Sequence, residues 1–243
     1  MILQGAAMPE SSSCLALTVH EIGGITKALS VEVTTLFNFG YAGRSQASVI
    51  AHVEELVKLG LPAPSTVPSV FPLPPLGVTT AREITVAGGD SYGEVEYALL
   101  LSKEFGWLVA VASDHSDFAV EKISTPRSKA ICPDVLSPDC WRLIDVEEHW
   151  DSLELTCTRS GALSSEIVQA GELINLLPPR ELIAILESRL GTTVSPGTVL
   201  LSGTLAGEPA PGGSSWQVRL HDPHLARTLV HDYAVTALQD ELS

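Results

Sequence analysis

Basic residues are scarce in this chain: 14 Lys and Arg stand against 29 Asp and Glu, a formal net charge of −15 over 243 residues. A chain this acidic repels a phosphate backbone and an anionic bilayer surface, so neither a nucleic-acid nor a membrane partner is expected. Long apolar runs are missing too. The densest, Trp107–Ala112, has strand length and falls far short of the roughly 18 residues of a membrane span. No basic stretch followed by an apolar one opens the sequence, so no secretory signal is expected. The four cysteines, Cys14, Cys132, Cys140 and Cys157, include no CxxC pair. Buried structural thiols in a reduced, cytoplasmic protein are the expectation. Also absent are GxGxxG, GxxxxGK[ST] and GxSxG, which removes the common nucleotide-binding loops and the hydrolase nucleophile elbow.

What is present reads as a strand-rich α+β chain. Residues 15–20 and 30–37 carry strand patterns around a Gly23-Gly24 turn. Val49, Val53, Leu56 and Val57 make one stripe of a helix over 45–59, with Gly60 as its stop. Six prolines between 61 and 75 exclude a helix or central strand and predict an ordered extended loop. Strands are predicted at 84–87, 94–102, 107–112, 153–158 and 199–201, a helix at 180–190, and a helix at 225–242. Regular β-α-β alternation is absent, which argues against a doubly wound sheet.

Three carboxylates stand out. Glu94 and Glu96 share one face of a predicted strand by period two. Asp114 follows the apolar run Trp107–Ala112. Side-by-side carboxylates repel unless a cation sits between them. An all-oxygen set of this kind suits Mg²⁺ or Mn²⁺, whereas a Glu-Val-Glu strand alone also fits a solvated face. His52 and Glu55, at i and i+3 of the predicted helix, are a candidate general-base pair, or an exposed helix pair. His221, His224 and His231 gather with Asp222 and Asp232, but Pro223 disfavours a fixed HxxH helix face. His115 and Asp117 either join the carboxylates or bond neighbouring backbone.

The order His52-Val53-Glu54-Glu55, Gly93-Glu94-Val95-Glu96, Ser113-Asp114, Ser128-Lys129 and Pro196-Gly197-Thr198-Val199-Leu200-Leu201-Ser202-Gly203-Thr204 resembles the fumarylacetoacetate hydrolase family over about residues 40–205. Gly43-Arg44, Ser113–Asp117, Ser128–Pro133 and His149-Trp150-Asp151 point to a bacterial subfamily of largely unassigned function. The resemblance implies a mixed β-roll with flanking helices, commonly dimeric. A β-rich segment at 1–40 packed on a catalytic domain at 41–243 is the expected organisation. By resemblance, Glu94, Glu96 and Asp114 hold Mg²⁺ or Mn²⁺, and His52 with Glu55 activates water. Lys129 is then the third catalytic group, while Arg44, Gly203 and Thr204 contact a small oxo acid substrate. The implied activity is metal-dependent C–C bond hydrolysis of a 1,3-dicarbonyl or acylpyruvate. Decarboxylation, dehydration or isomerisation by the same metal–enolate chemistry is the alternative, and a non-catalytic ligand-binding role is a third. Two departures stand out. The Gly-Arg to His spacing is a few residues longer than in the wider family, and Phe118 stands where the family has arginine.

Overall fold

β-Branched and apolar residues are frequent in the described chain, and strand is its commonest regular structure. The computed structural model describes residues 12–58, 64–161, 164–205, 207 and 210–238, with the side chains of 52 and 55–58 outside that description. The strands in chain order are β1 (Ser13–His20), β2 (Thr26–Val33), β3 (Thr35–Gly40), β4 (Ser69–Leu73), β5 (Val78–Thr79), β6 (Glu83–Val86), β7 (Ser91–Ser102) and β8 (Gly106–Asp117). They continue with β9 (Asp134–Leu136), β10 (Asp139–Arg142), β11 (Glu154–Ser160), β12 (Ser165–Glu172), β13 (Thr198–Leu201), β14 (Ser215–Asp222) and β15 (Arg227–Ala237). The helices are α1 (Gln46–Lys58), α2 (Phe118–Glu121), α3 (Thr125–Ile131) and α4 (Pro179–Leu190).

Ten strands form a mixed sheet in the order β2-β1-β10-β8-β7-β13-β3-β4, with β9 on β8 and β5 on β9. A second sheet of five runs β12-β11-β14-β15-β6. The long β7–β8 hairpin divides the core because its side chains alternate. Val95, Tyr97, Leu99, Val109 and Val111 meet Leu155, Cys157, Val218, Leu220 and Tyr233 from the second sheet. On the opposite face Ala98, Leu100, Leu108, Ala110 and Ala112 pack with Leu15, Leu17, Val19, Val31, Val33 and Leu36. Residues 13–40 are thus strands of the same sheet as the hairpin. The sheets approach closely at Gly93, where a Cβ would strike the Tyr233 hydroxyl and lie 2.7 Å from Ser113 Oγ.

Several expectations change. The segment at 225–242 is not a helix: β15 occupies 227–237, and residues 239–242 lie outside the described residues. Leu229 and Tyr233 sit four apart, a spacing common to helix and strand, but His231 between them is also buried while Val230 and Asp232 face out. Thr228, Val230, Val235 and Thr236 add β-branched bulk. The proline-rich segment contributes a strand, β4, at the sheet edge, where proline is tolerated. β8 runs on to Asp117, so Asp114 lies within a strand and not at its end. Leu182, Ile183 and Leu186 of α4 are buried, while Leu190 is exposed beside the left-handed Gly191 that ends the helix. Gly60 lies outside the described residues. No described helix is long and apolar enough to cross a membrane.

Candidate metal centre

The antiparallel register of β7 and β8 sets Glu94 directly opposite Asp114. Opposite residues share a face, and period two adds Glu96 to it. One ligand oxygen from each of the three lies within 4.8 Å of the others, the one such cluster among the described residues. Glu96 and Asp114 are fully buried and Glu94 is half-buried.

Asp114 is the hub. Its Oδ2 accepts from Asn38 Nδ2 at 3.1 Å and from the Lys129 ammonium, and its Oδ1 accepts from Ser116 Oγ at 3.3 Å. Lys129 arrives on α3, which Ser128 ties to the end of β8 through a 2.8 Å bond to the Asp117 carbonyl. Glu96 Oε2 accepts from the Gly203 amide at 2.8 Å. Gly203 has φ +78°, and a Cβ there would lie 2.8 Å from the Phe39 carbonyl, so only glycine brings this amide to Glu96. Thr204 Oγ1 donates to the Val95 carbonyl at 3.0 Å and accepts from Gln169 Nε2 at 2.8 Å. Gln169 Oε1 accepts from the Val95 amide at 2.9 Å, which completes a brace between the two glutamates.

The other expected residues are placed differently. Arg44 bonds Asp151 through both Nη atoms, at 2.8 and 2.6 Å, and the Leu176 carbonyl through Nε at 3.0 Å. Its guanidinium is thereby committed to the helical turn at 147–152, whose Trp150 packs edge-on against Tyr97. His52 and Glu55 lie on α1, and their side chains fall outside the described residues. His115 points to the opposite face of β8, bonded to Tyr233 Oη at 3.0 Å and Ser91 Oγ at 2.9 Å. Burial lowers its pKa to about 4, against a smaller upward pull from Asp114, so it is neutral at pH 7. Asp117 caps α2 through the Val120 amide. His221 bonds Thr228, His231 bonds the Ala81 carbonyl, and His224 stacks on His149, so these histidines serve local packing. Phe118 packs edge-on against Tyr92 and under the Lys122 ammonium.

Asn38, Gln169 and the Tyr92–Glu121 hydrogen bond beside the cluster carried no signal in the linear sequence. Asn38 reaches the site because β3 runs parallel to β13, with Leu201 opposite Asn38.

The electrostatics suit a cation. Burial pushes Glu94 up to about 8, Lys129 pulling it down while Asp114 and Glu121 push it higher. Burial, then Asp114, raises Glu96 well above the ordinary range. For Lys129, burial favours the neutral amine, but Asp114, Glu94 and Glu96 outweigh it and hold the charge. One ammonium faces three carboxylates, and Glu96 Oε1 is buried without a partner among the described residues. An all-oxygen donor set with a spare buried oxygen fits a hard divalent ion.

A pH dependence follows. Between 4.5 and about 8 the folded, metal-free protein holds a proton on Glu94 that the unfolded chain has released, and Glu96 is shifted in the same direction. Native proton uptake makes stability fall as pH rises through that window. Cation binding displaces the same protons and tightens with pH. The expected result is a melting temperature of metal-free protein that drops over this range while Mn²⁺ affinity rises, read by calorimetry.

Residues 39–233 match a family described as "Protein of unknown function (DUF2848)". The chain belongs to the DUF2848 family. No curated protein shows significant similarity to it. Solved structures share the fold of this DUF2848 chain. The apo form of 2-keto-3-deoxy-D-arabinonate dehydratase is 14% identical with TM-score 0.61, over 91% of this chain and 79% of that one. An inhibitor complex of Cg1458 is 16% identical with TM-score 0.60, over 89% and 84%. The 4-oxalocrotonate decarboxylase from Pseudomonas putida G7, complexed with calcium and acetate, is 12% identical with TM-score 0.54, over 82% and 76%. The DUF2848 chain therefore has the strand-rich mixed-sheet α+β fold expected from the resemblance to fumarylacetoacetate hydrolases.

Proposed function

We propose that the chain is a divalent-metal-dependent enzyme of fumarylacetoacetate hydrolase type acting on a small 2-oxo acid or 1,3-dicarbonyl compound. The carrying observation is the all-oxygen cluster Glu94, Glu96 and Asp114, with a buried Glu96 oxygen that has no partner among the described residues and Lys129 in contact. These three carboxylates hold Mg²⁺ or Mn²⁺. When bound, such an ion orients substrate oxygens and supplies Lewis-acid stabilisation to a developing enolate. Lys129 donates toward negative charge on the substrate. Gly203 and Thr204 border the substrate position and hold Glu96 and β7, while Arg44 fixes the start of α1.

In the hydrolase reading, His52, oriented by Glu55, takes a proton from water. The resulting hydroxide attacks the distal carbonyl, the C–C bond breaks, and its electron pair leaves as the enolate. A second reading, 2-oxo acid dehydratase or decarboxylase, is favoured by similar folds. One such dehydratase is described in complex with magnesium and 2,5-dioxopentanoate, and another such fold is the oxalocrotonate decarboxylase.

A panel of acylpyruvates and 2-oxo acids, assayed with Mn²⁺, tests the proposal by the product: two acids, lost water or CO₂. His52→Ala is expected to lower hydrolysis about 10²- to 10⁴-fold without changing Mn²⁺ affinity. Unchanged turnover removes His52 from the mechanism and leaves the lyase reading. Saturable ligand binding without any product indicates a binding protein instead.

A further inference from the structure

β9 brings a fourth carboxylate to the same sheet face. It pairs with β8 so that Ala112 faces Leu136 and Ser113 faces Val135. One step further sets Asp134 across from Asp114. Leu136 packs in the same buried cluster as Ala112, and Val135 in the cluster on the other face. Glu94, Asp114 and Asp134 therefore form a row across three strands. Asp134 is 1% exposed, and its Oδ1 has no partner among the described residues. Burial, then Asp114, pushes its carboxyl up, while Lys129 pulls it down. The Lys129 ammonium sits on Asp114 Oδ2, beside the residue that the β8–β9 register sets across from Asp134.

The proposed function creates a conflict at Asp114. Its Oδ2 already accepts from Lys129 and Asn38. A divalent ion on the triad competes with Lys129 for that carboxylate. A buried ammonium pushed off its partner is costly unless another carboxylate receives it. We infer that Asp134 is a positioning residue that receives the Lys129 ammonium when Asp114 turns to a divalent cation. The inference rests on the metal reading above. Asp134 acts through Lys129, keeping it charged and beside the substrate position while Asp114 is free to ligate.

The test is calorimetric titration of Mn²⁺ into metal-stripped wild type, Asp134→Asn, Lys129→Met and the double variant. Asp134→Asn keeps the side-chain volume but removes the anion. It is expected to weaken Mn²⁺ binding about 10- to 100-fold, as loss of a carboxylate outside the ligand set commonly does. Lys129→Met removes the competitor and is expected to bind Mn²⁺ more tightly than wild type. In that background Asp134→Asn is expected to change the affinity by less than about threefold, because the coupling partner is gone. Wild-type affinity in Asp134→Asn, or an equal loss with and without Lys129, overturns the inference. Melting curves without metal show which variants fold. Should Asp134→Asn fail to fold, Lys129→Met alone decides, and unchanged or weaker Mn²⁺ binding there overturns the proposal. A wild type that binds no Mn²⁺ overturns the metal reading itself, a failure visible before any variant is compared.

Discussion

Asp114→Asn is expected to weaken Mn²⁺ binding by more than about 100-fold, beyond the range typical of groups that touch a metal only through a ligand. The reason is its position. Glu94 lies directly across from it, Glu96 is diagonal, and Asn38, Ser116 and Lys129 all bond its carboxylate. An amide offers one neutral oxygen where the site supplies a charged pair, and it cannot anchor Lys129 as an ion pair. The remaining carboxylates still surround the ammonium, so the metal-free variant is expected to melt as a folded protein. Titration calorimetry with Mn²⁺ reads the affinity, and a melting curve without metal reads the fold. Near-wild-type affinity in a folded Asp114→Asn protein removes this residue from the ligand set.

Lys129→Met is expected to lower turnover on the preferred oxo acid by about 10²- to 10³-fold, the usual effect of removing one preorganised donor to a developing oxyanion. Methionine keeps much of the buried length but offers no charge. Lys129 is nearly fully buried with its ammonium on Asp114, and three carboxylates hold it protonated. Binding of oxalate to the Mn²⁺-loaded variant is expected to fall together with kcat, since oxalate resembles the enolate of a 2-oxo acid. If turnover falls while oxalate affinity stays at the wild-type level, Lys129 acts at another step than enolate stabilisation.

The legible parts of the fold were those whose periodicity had one interpretation. The stripe Val49, Val53, Leu56 and Val57 fits only a helix, and α1 occupies 46–58. Glu94, Glu96, Val95, Tyr97 and Leu99 alternate, and β7 puts the two glutamates on one face and the apolar residues on the other. The C-terminal segment is ambiguous in sequence, because Leu225, Leu229 and Tyr233 are spaced four apart, a distance that the expected helix at 225–242 and the observed strand share. The sheet settled it: β15 gains a full ladder against β14, from Ser215 opposite Ala234 to Asp222 opposite Arg227.

The site divides the same way. The carboxylates of one hairpin are close in sequence, and their spacing pointed to one another. Asn38, Gln169 and Asp134 come from β3, β12 and β9, and reach the cluster only through long-range pairing. No local pattern marks such residues, because a polar side chain in an apolar strand reads equally as an edge or a turn. Gly203 was legible through its motif, and its task follows from its backbone: positive φ and a close Phe39 carbonyl aim its amide at Glu96.

The most direct test of the central claim is calorimetric titration of oxalate into the protein, with and without Mn²⁺. An open metal site built from Glu94, Glu96 and Asp114 predicts saturable oxalate binding with Mn²⁺ and none in its absence. Absence of Mn²⁺ binding, or oxalate binding that is indifferent to the metal, contradicts it.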